Sequence, residues 1–90
     1  MVKRLRLNDK SVRELIPEED RDYQVFDTEI RGLSIRVLRS GARSFVLDYR
    51  FAGRQRRMAI GRWPEWSVTG VRERARELRR VIDEGCDPLG

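Results

Sequence analysis

The side chains best suited to chemistry in this sequence are arginines, and they are concentrated in one stretch. Of 20 basic residues 18 are arginine, and eight of these lie between Arg36 and Arg62 against one acid, Asp48, a net charge of +7. The stretch from Glu14 to Glu29 has seven acids and one arginine, a net charge of −6. The planar guanidinium fork matches phosphate oxygens and the acceptor edge of guanine. Together with a calculated pI near 10.3, this pattern predicts a polyanionic partner.

The sequence offers little from which a catalytic centre can be built. It has no histidine to act as a general base, and its single cysteine, Cys86, cannot form an internal disulfide or, without further ligands, a zinc site. Ser40, Ser44 and Ser67 fall at turn, strand and cap positions, and Tyr49 falls on a buried parity, so no activated nucleophile is indicated. We therefore expect no catalytic residue, metal, cofactor or small-molecule substrate.

From the sequence we expect neither a targeting signal nor a membrane span. The lone Cys86 indicates a reducing compartment. No apolar stretch approaches the ~20 residues of a membrane span, and residues 1–7 lack the apolar segment of a signal peptide. We expect a cytoplasmic protein without a membrane partner.

Hydrophobic spacing predicts an α+β fold. Asn8 is expected to cap a short helix that buries Val12, Leu15 and Ile16 and ends before Pro17. Alternating apolar residues predict a small antiparallel sheet of three to four strands, over residues 23–27, 33–39, 43–51 and 54–60. Residues 61–66 are predicted to form a loop.

A longer C-terminal helix is predicted to pack on one face of this sheet. Ser67 is a good N-cap, apolar residues follow at spacings of three and four, and Gly85 ends the helix. Gly70 is a poor helix former, so the first turn is expected to be weak. Residues 1–85 are expected to form one domain, and residues 86–90 the start of a linker to a core-binding and catalytic region that the sequence does not include.

Strand parity decides which arginines remain accessible on the sheet. It sends Arg36, Arg50 and Arg57 to the face opposite the long helix, and other arginines fall at turns. A ribbon of strands can enter the roughly 12 Å major groove of B-DNA and present such side chains to base edges. The predicted DNA-binding residues are Arg36, Arg39, Arg43, Arg50, Arg54, Gln55, Arg56, Arg57 and Arg62.

Other arginines and aromatics are assigned structural roles. The helix arginines from Arg72 to Arg80 lie among acids and are expected to be solvated, with Arg79–Asp83 or Arg80–Glu84 pairing across one turn. Trp63 and Trp66 are expected to cover the core, with stacking on bases as the alternative. The sheet aromatics, which are Tyr23, Phe26, Phe45, Tyr49 and Phe51, are expected to be core residues.

Several short motifs resemble the arm-type DNA-binding domain of phage-like integrases, which are tyrosine recombinases related to the P4-type enzymes. They are Gly32-Leu33-Ser34-Ile35-Arg36-Val37, Ser40-Gly41-Ala42-Arg43-Ser44-Phe45, Gly61-Arg62-Trp63-Pro64 and Gly85-x-Asp87-Pro88. Gly70 departs from the pattern, since relatives usually place an acid there that completes a capping box with Ser67.

The resemblance implies a small antiparallel sheet with helices that binds arm-type sites on duplex DNA, as the accessory N-terminal domain of an enzyme that integrates and excises a mobile element. DNA cleavage would belong to a separate C-terminal domain with a tyrosine nucleophile, so no catalytic role passes to any residue here. Two alternatives stay open. One is a protein-interaction module for other integrase protomers or a directionality factor. The other is RNA binding, which usually needs exposed aromatics on the sheet.

Overall fold

The computed structural model describes residues 3–90, which form a five-stranded sheet and two helices. The strands are β1 (Lys3–Leu5), β2 (Tyr23–Asp27), β3 (Leu33–Val37), β4 (Arg43–Phe51) and β5 (Arg54–Trp63). They lie in sequence order across the sheet, and each neighbouring pair is antiparallel except β1 with β2, which is parallel. The predicted α+β class is confirmed, with five strands where three to four were expected.

The additional strand is β1, which the sequence does not reveal because three residues are too few for alternation to be recognised. Its residues pair with β2, Lys3 opposite Val25 and Leu5 opposite Asp27. A parallel pair needs a crossover connection, and the segment with helix α1 (Asp9–Arg13) supplies it. Between β1 and α1 the chain enters the core at Leu7, which is fully buried.

Helix α1 begins as predicted but ends early. The Asn8 side chain accepts a hydrogen bond from the Ser11 N–H, and the Ser11 hydroxyl accepts one from the Asn8 N–H, which completes a capping box. The helix ends at Arg13 and not at Ile16. Val12 is buried, whereas Ile16 is 77% exposed, so its predicted burial is wrong. With one turn of helix, Ile16 lies beyond the face that Val12 shares with the sheet.

The core lies between one face of the sheet and helix α2 (Val68–Asp83). Alternate residues of β3 and β4 are buried there, as their spacing predicts, against one stripe of α2. On this side of the sheet and on α2, the fully or almost fully buried apolar residues are Val25, Leu33, Ile35, Val37, Phe45, Leu47, Tyr49, Val68, Val71, Ala75 and Leu78. Strand β3 ends at Val37, before the predicted Arg39.

Strands β4 and β5 form the longest hairpin, which turns at Ala52 and Gly53, both with positive φ. The register shifts by one residue between Phe45 and Val46, which pair with Gly61 and Ala59. Ile60 is the extra residue of this bulge, and beyond it β5 continues through Gly61 to Trp63. The predicted loop at 61–66 is therefore wrong over its first three residues. Trp66 packs against Gly61, where any Cβ would overlap its indole ring.

Helix α2 agrees with its sequence signals. The Ser67 hydroxyl accepts a hydrogen bond from the Gly70 N–H, 3.1 Å long, and Gly85 has a φ of +91° just beyond the helix. After the helix, Asp87 returns to the sheet and accepts hydrogen bonds from the Tyr49 hydroxyl and Arg56 Nη1. Neither helix found in residues 3–90 is long and apolar enough to cross a membrane.

Candidate nucleic-acid interface

The sheet face turned away from α2, which we call the open face, is built from the alternate residues that the core does not use. The strand register sets these residues in rows across the sheet. One row has Gln24, Arg36, Ser44 and Arg62, the next has Arg4, Phe26, Ser34, Val46 and Ala59, and the last two are Asp48–Arg57 and Arg50–Gln55. The predicted placement of Arg36, Arg50 and Arg57 on one face agrees with this register.

A hydrogen-bonded network crosses the centre of the open face. Arg57 donates to both Asp48 carboxylate oxygens, 2.6 and 3.1 Å away, and to the Gln24 amide oxygen at 3.1 Å. Gln24 donates in turn to the Ser34 hydroxyl, which is fully buried. The bonds to Asp48 raise the pKa of Arg57, so the guanidinium stays charged. Asp48 thus compensates part of the positive charge of Arg57, and the hydrogen bonds hold its side chain in place. Arg57 is therefore less available to a ligand than its position in the strand alone predicts.

Four other polar residues of the open face are not held in this network. Arg50, Gln55 and Arg62 are exposed, and in residues 3–90 neither Arg50 nor Arg62 lies within 4.0 Å of a carboxylate. Arg36 is half-exposed, and its nearest carboxylate is that of Asp22 at 3.9 Å. The sequence predicts a loop at Arg62, but the bulge brings this residue onto the open face, in the same row as Arg36 with Ser44 between them. These four side chains present donors to solvent from one surface.

Four of the predicted DNA-binding arginines do not lie on the open face. Arg43 is on the helix side, where its Nη2 donates to the Leu15 carbonyl at 2.8 Å and its guanidinium lies 5.4 Å from the Trp63 ring. Arg56 is also on that side and binds Asp87. Arg39 lies beyond β3 and donates to the Glu19 carbonyl, and Arg54 is exposed at the hairpin turn. The sequence predicts too many arginines on the open face, because a count of charges does not distinguish the two sides of the sheet from each other or from its turns.

Arg72 on α2 is a structural residue, and its predicted solvation is wrong. Its guanidinium binds the Asp27 carboxylate at 3.0 and 3.2 Å and donates to the Leu7 carbonyl at 2.6 Å. Asp27 is fully buried at its side chain and also accepts from the Leu7 and Ile30 N–H groups. Burial alone would raise the pKa of Asp27, but these hydrogen bonds and the Arg72 charge outweigh it and lower the pKa.

The other helix arginines differ among themselves. Arg74 pairs with Glu77 at 3.1 Å on an exposed surface. The expected pairs Arg79–Asp83 and Arg80–Glu84 do not form among the described residues, where Arg79 is half-buried and Arg80 exposed.

Trp63 and Trp66 are half-buried and pack against the core, as expected. Phe26 is the exception among the sheet aromatics, because it lies on the open face with Arg4 5.6 Å from its ring.

The two ends of the open face differ in charge. Near Arg36, a hollow of about 370 Å³ is lined by two acids, Glu18 and Asp22, and by four basic residues, which are Lys3, Arg21, Arg36 and Arg57. At the hairpin end, a hollow of about 440 Å³ is lined by four arginines and one acid, Asp48, which is already bound by Arg57. A polyanion on this face is therefore favoured at the hairpin end.

A sheet that presents basic side chains is one of the surfaces with which small domains bind nucleic acid. The chain belongs to the arm DNA-binding domain family, whose sequence model matches residues 7–90. It is 36% identical over 73 residues to the prophage integrase IntF of Escherichia coli (strain K12), and 35% identical over 49 residues to the putative protein IntB of the same strain. These matches cover 81% and 54% of the chain, but only 16% and 12% of the two relatives. The expected resemblance to integrase arm domains is thereby confirmed.

Proposed function

We propose that this chain binds duplex DNA in a sequence-dependent manner, as the accessory domain of a site-specific tyrosine recombinase that integrates and excises a mobile element. The observation that carries the proposal is the open face, on which Arg36, Arg50, Arg62 and Gln55 present donors that are not consumed by buried carboxylates. The family and the name of the similar prophage integrase support the same function. The domain would then work in the cytoplasm, at arm-type sites.

The chemistry of the face suits the major groove. An arginine fork pairs with guanine O6 and N7, and glutamine pairs with adenine N6 and N7. Ala59 is exposed in the middle of the face, between these polar rows, and an alanine methyl is a suitable contact for the thymine methyl group. We therefore expect Arg50, Gln55, Ala59 and Arg62 to read bases. Arg57, which is bound to Asp48, is expected to support the surface more than to read it.

The test is a binding titration of the 90-residue chain against a library of random duplexes, single-stranded RNA and heparin at two salt concentrations. We expect enrichment of a defined duplex motif, with an affinity that falls steeply with salt because bound phosphates release counterions. Equal binding to heparin, RNA and every duplex would leave only nonspecific charge attraction and would overturn the sequence-dependent part. Absence of a duplex shift even at low salt would overturn the proposal entirely.

A protein-interaction role is the second candidate, and one row of the face favours it. Phe26, Val46 and Ala59 belong to one row of the open face, a largely apolar strip that Ser34 interrupts between Phe26 and Val46 and in which Val46 is only 3% exposed. Such a strip could pack against another protomer or a directionality factor. Sedimentation velocity distinguishes the two: a DNA-reading face predicts a monomer without DNA, whereas a dimer that Ala59→Asp dissociates would favour the interaction role.

A further inference from the structure

The hollow at the hairpin end, which we call the basic notch, exists because β4 is longer than its neighbour. The last β3–β4 pair is Leu33 with Leu47, but β4 continues to Phe51. One further bond, from the Asp48 N–H to the Gly32 carbonyl at 2.8 Å, closes the inner end. Beyond it the β4–β5 hairpin extends past the end of β3, and the β2–β3 loop faces it across the notch.

Four elements each contribute one arginine to the basic notch. Arg4 comes from β1, Arg31 from the β2–β3 loop, Arg50 from β4 and Arg79 from α2. In residues 3–90 none of the four lies within ion-pair distance of a carboxylate. The single acid of the lining, Asp48, is bound to Arg57 and Gln24. The notch therefore has four arginines in its lining against one carboxylate, which Arg57 already binds.

The backbone and neighbouring groups restrict where these arginines lie. Gly32, next to Arg31, has a φ of +86° and approaches β4 so closely that a Cβ would overlap the Asp48 carbonyl oxygen. Arg4 lies over the Phe26 ring, and Arg50 Nη2 donates to the Gly53 carbonyl at 3.1 Å. Such restriction lowers the side-chain entropy lost when an anion binds. The notch is thus partly organised before any ligand arrives.

We propose that the basic notch binds a backbone phosphate of the DNA that lies on the open face, with Arg31 and Arg79 as phosphate ligands. This inference rests on the proposed DNA binding and adds a contact from the helix side of the sheet. The notch borders the open face and shares Arg50 and Gln55 with it. When strands enter the major groove, its flanking phosphates pass the rim of the sheet, where arginine forks bind them tightly without reading sequence.

The ligand is a phosphodiester in a duplex, and free phosphate is the other source of the same chemistry. These two ligands differ in the surfaces that they contact, since free phosphate contacts only the basic notch, whereas a duplex also contacts the open face. Inorganic phosphate alone should therefore bind weakly, at millimolar concentration or above, when followed by amide shifts of Arg31 and Gly32. Micromolar binding of inorganic phosphate, together with a DNA affinity that Arg31→Ala does not change, would overturn the assignment to DNA.

Arg79→Ala and Arg31→Ala are the test variants, and Arg80→Ala is the matched control, with the same charge change from the neighbouring, exposed position of α2. Loss of one phosphate contact should flatten the slope of log K against log salt by about 0.9. If the affinities converge near 1 M salt, that slope corresponds to about eight-fold weaker binding at 0.1 M. The loss should be equal on specific and random duplexes, and Arg79→Lys should restore much of it.

The melting temperature separates this role from a structural one. All three alanine variants should melt within a few degrees of the unmodified chain, since none loses a buried partner. If Arg79→Ala and Arg31→Ala show the salt slope of Arg80→Ala while the unmodified chain binds DNA, the notch assignment is wrong and the proposed function stands. If the unmodified chain binds no duplex, both are wrong.

Discussion

On the helix side of the sheet, Arg72 and Arg56 each bind a carboxylate that is 9% exposed or less, whereas on the open face Arg50 and Arg62 point to solvent without an acidic partner among the described residues. The same residue type therefore serves two purposes on the two sides of one sheet. The difference lies in whether each guanidinium has a carboxylate within ion-pair distance. Composition predicts an anionic partner, but the pairing of each arginine with a carboxylate separates fold-stabilising residues from those free to bind DNA.

The largest effect is expected from Arg72→Ala. This change leaves the Asp27 carboxylate buried without its counter-charge, and breaking a buried pair costs about 3–5 kcal/mol of unfolding free energy. Urea denaturation measures the loss. Arg74→Ala is the matched control on the same helix, because its exposed pair with Glu77 is worth about 0.5 kcal/mol at most. Equal losses for the two variants would show that burial of the Arg72–Asp27 pair does not raise its contribution to stability above that of an exposed pair.

A pH dependence is expected from the same buried pair. The folded pKa of Asp27 is lowered, so its contribution to stability is complete above the unfolded pKa of about 3.9 and is lost as the pH falls through the folded pKa. The hydrogen bond from Tyr49 is the main cause that lowers the pKa of Asp87, which acts in the same direction. Urea midpoints between pH 7 and pH 3 should therefore fall, and Asp27→Asn should fall less steeply. If the urea midpoints of the unmodified chain and of Asp27→Asn fall equally steeply with pH, Asp27 is not a source of the pH dependence.

A smaller difference is expected within the open face itself. Arg57→Ala breaks the bonds to Asp48 and Gln24 and should cost about 1 kcal/mol, whereas Arg50→Ala should stay within about 0.5 kcal/mol. For DNA binding the order should reverse, because Arg50 is the freer donor. A double-mutant cycle between Arg57 and Asp48 measures the coupling directly. No coupling would mean that Arg57 is as available as Arg50, as strand parity alone predicts.

Much of the fold follows from the sequence, because alternation in β2, β3 and β4 and the Ser67 cap of α2 are local signals. The rest depends on contacts distant in sequence. The bulge at Ile60, which carries Arg62 onto the open face, is set by pairing with β4. Arg79 reaches the basic notch only once α2 is packed, so spacing within the helix predicts an ion pair with Asp83 instead. Buried Asp27 likewise shows its role only beside Arg72.

The most direct test of the two-sided account compares charge-matched triple variants. One removes Arg36, Arg50 and Arg62 from the open face, and the other removes Arg74, Arg76 and Arg80 from α2, each by substitution with alanine. Both lose three positive charges, so general attraction to DNA falls equally. The measurement is the affinity for a selected duplex at 0.1 M salt, with melting temperatures to establish folding. We expect the open-face variant to lose detectable specific binding and the helix variant to retain most of it. Equal losses in the two variants, or a greater loss in the helix variant, would contradict the account.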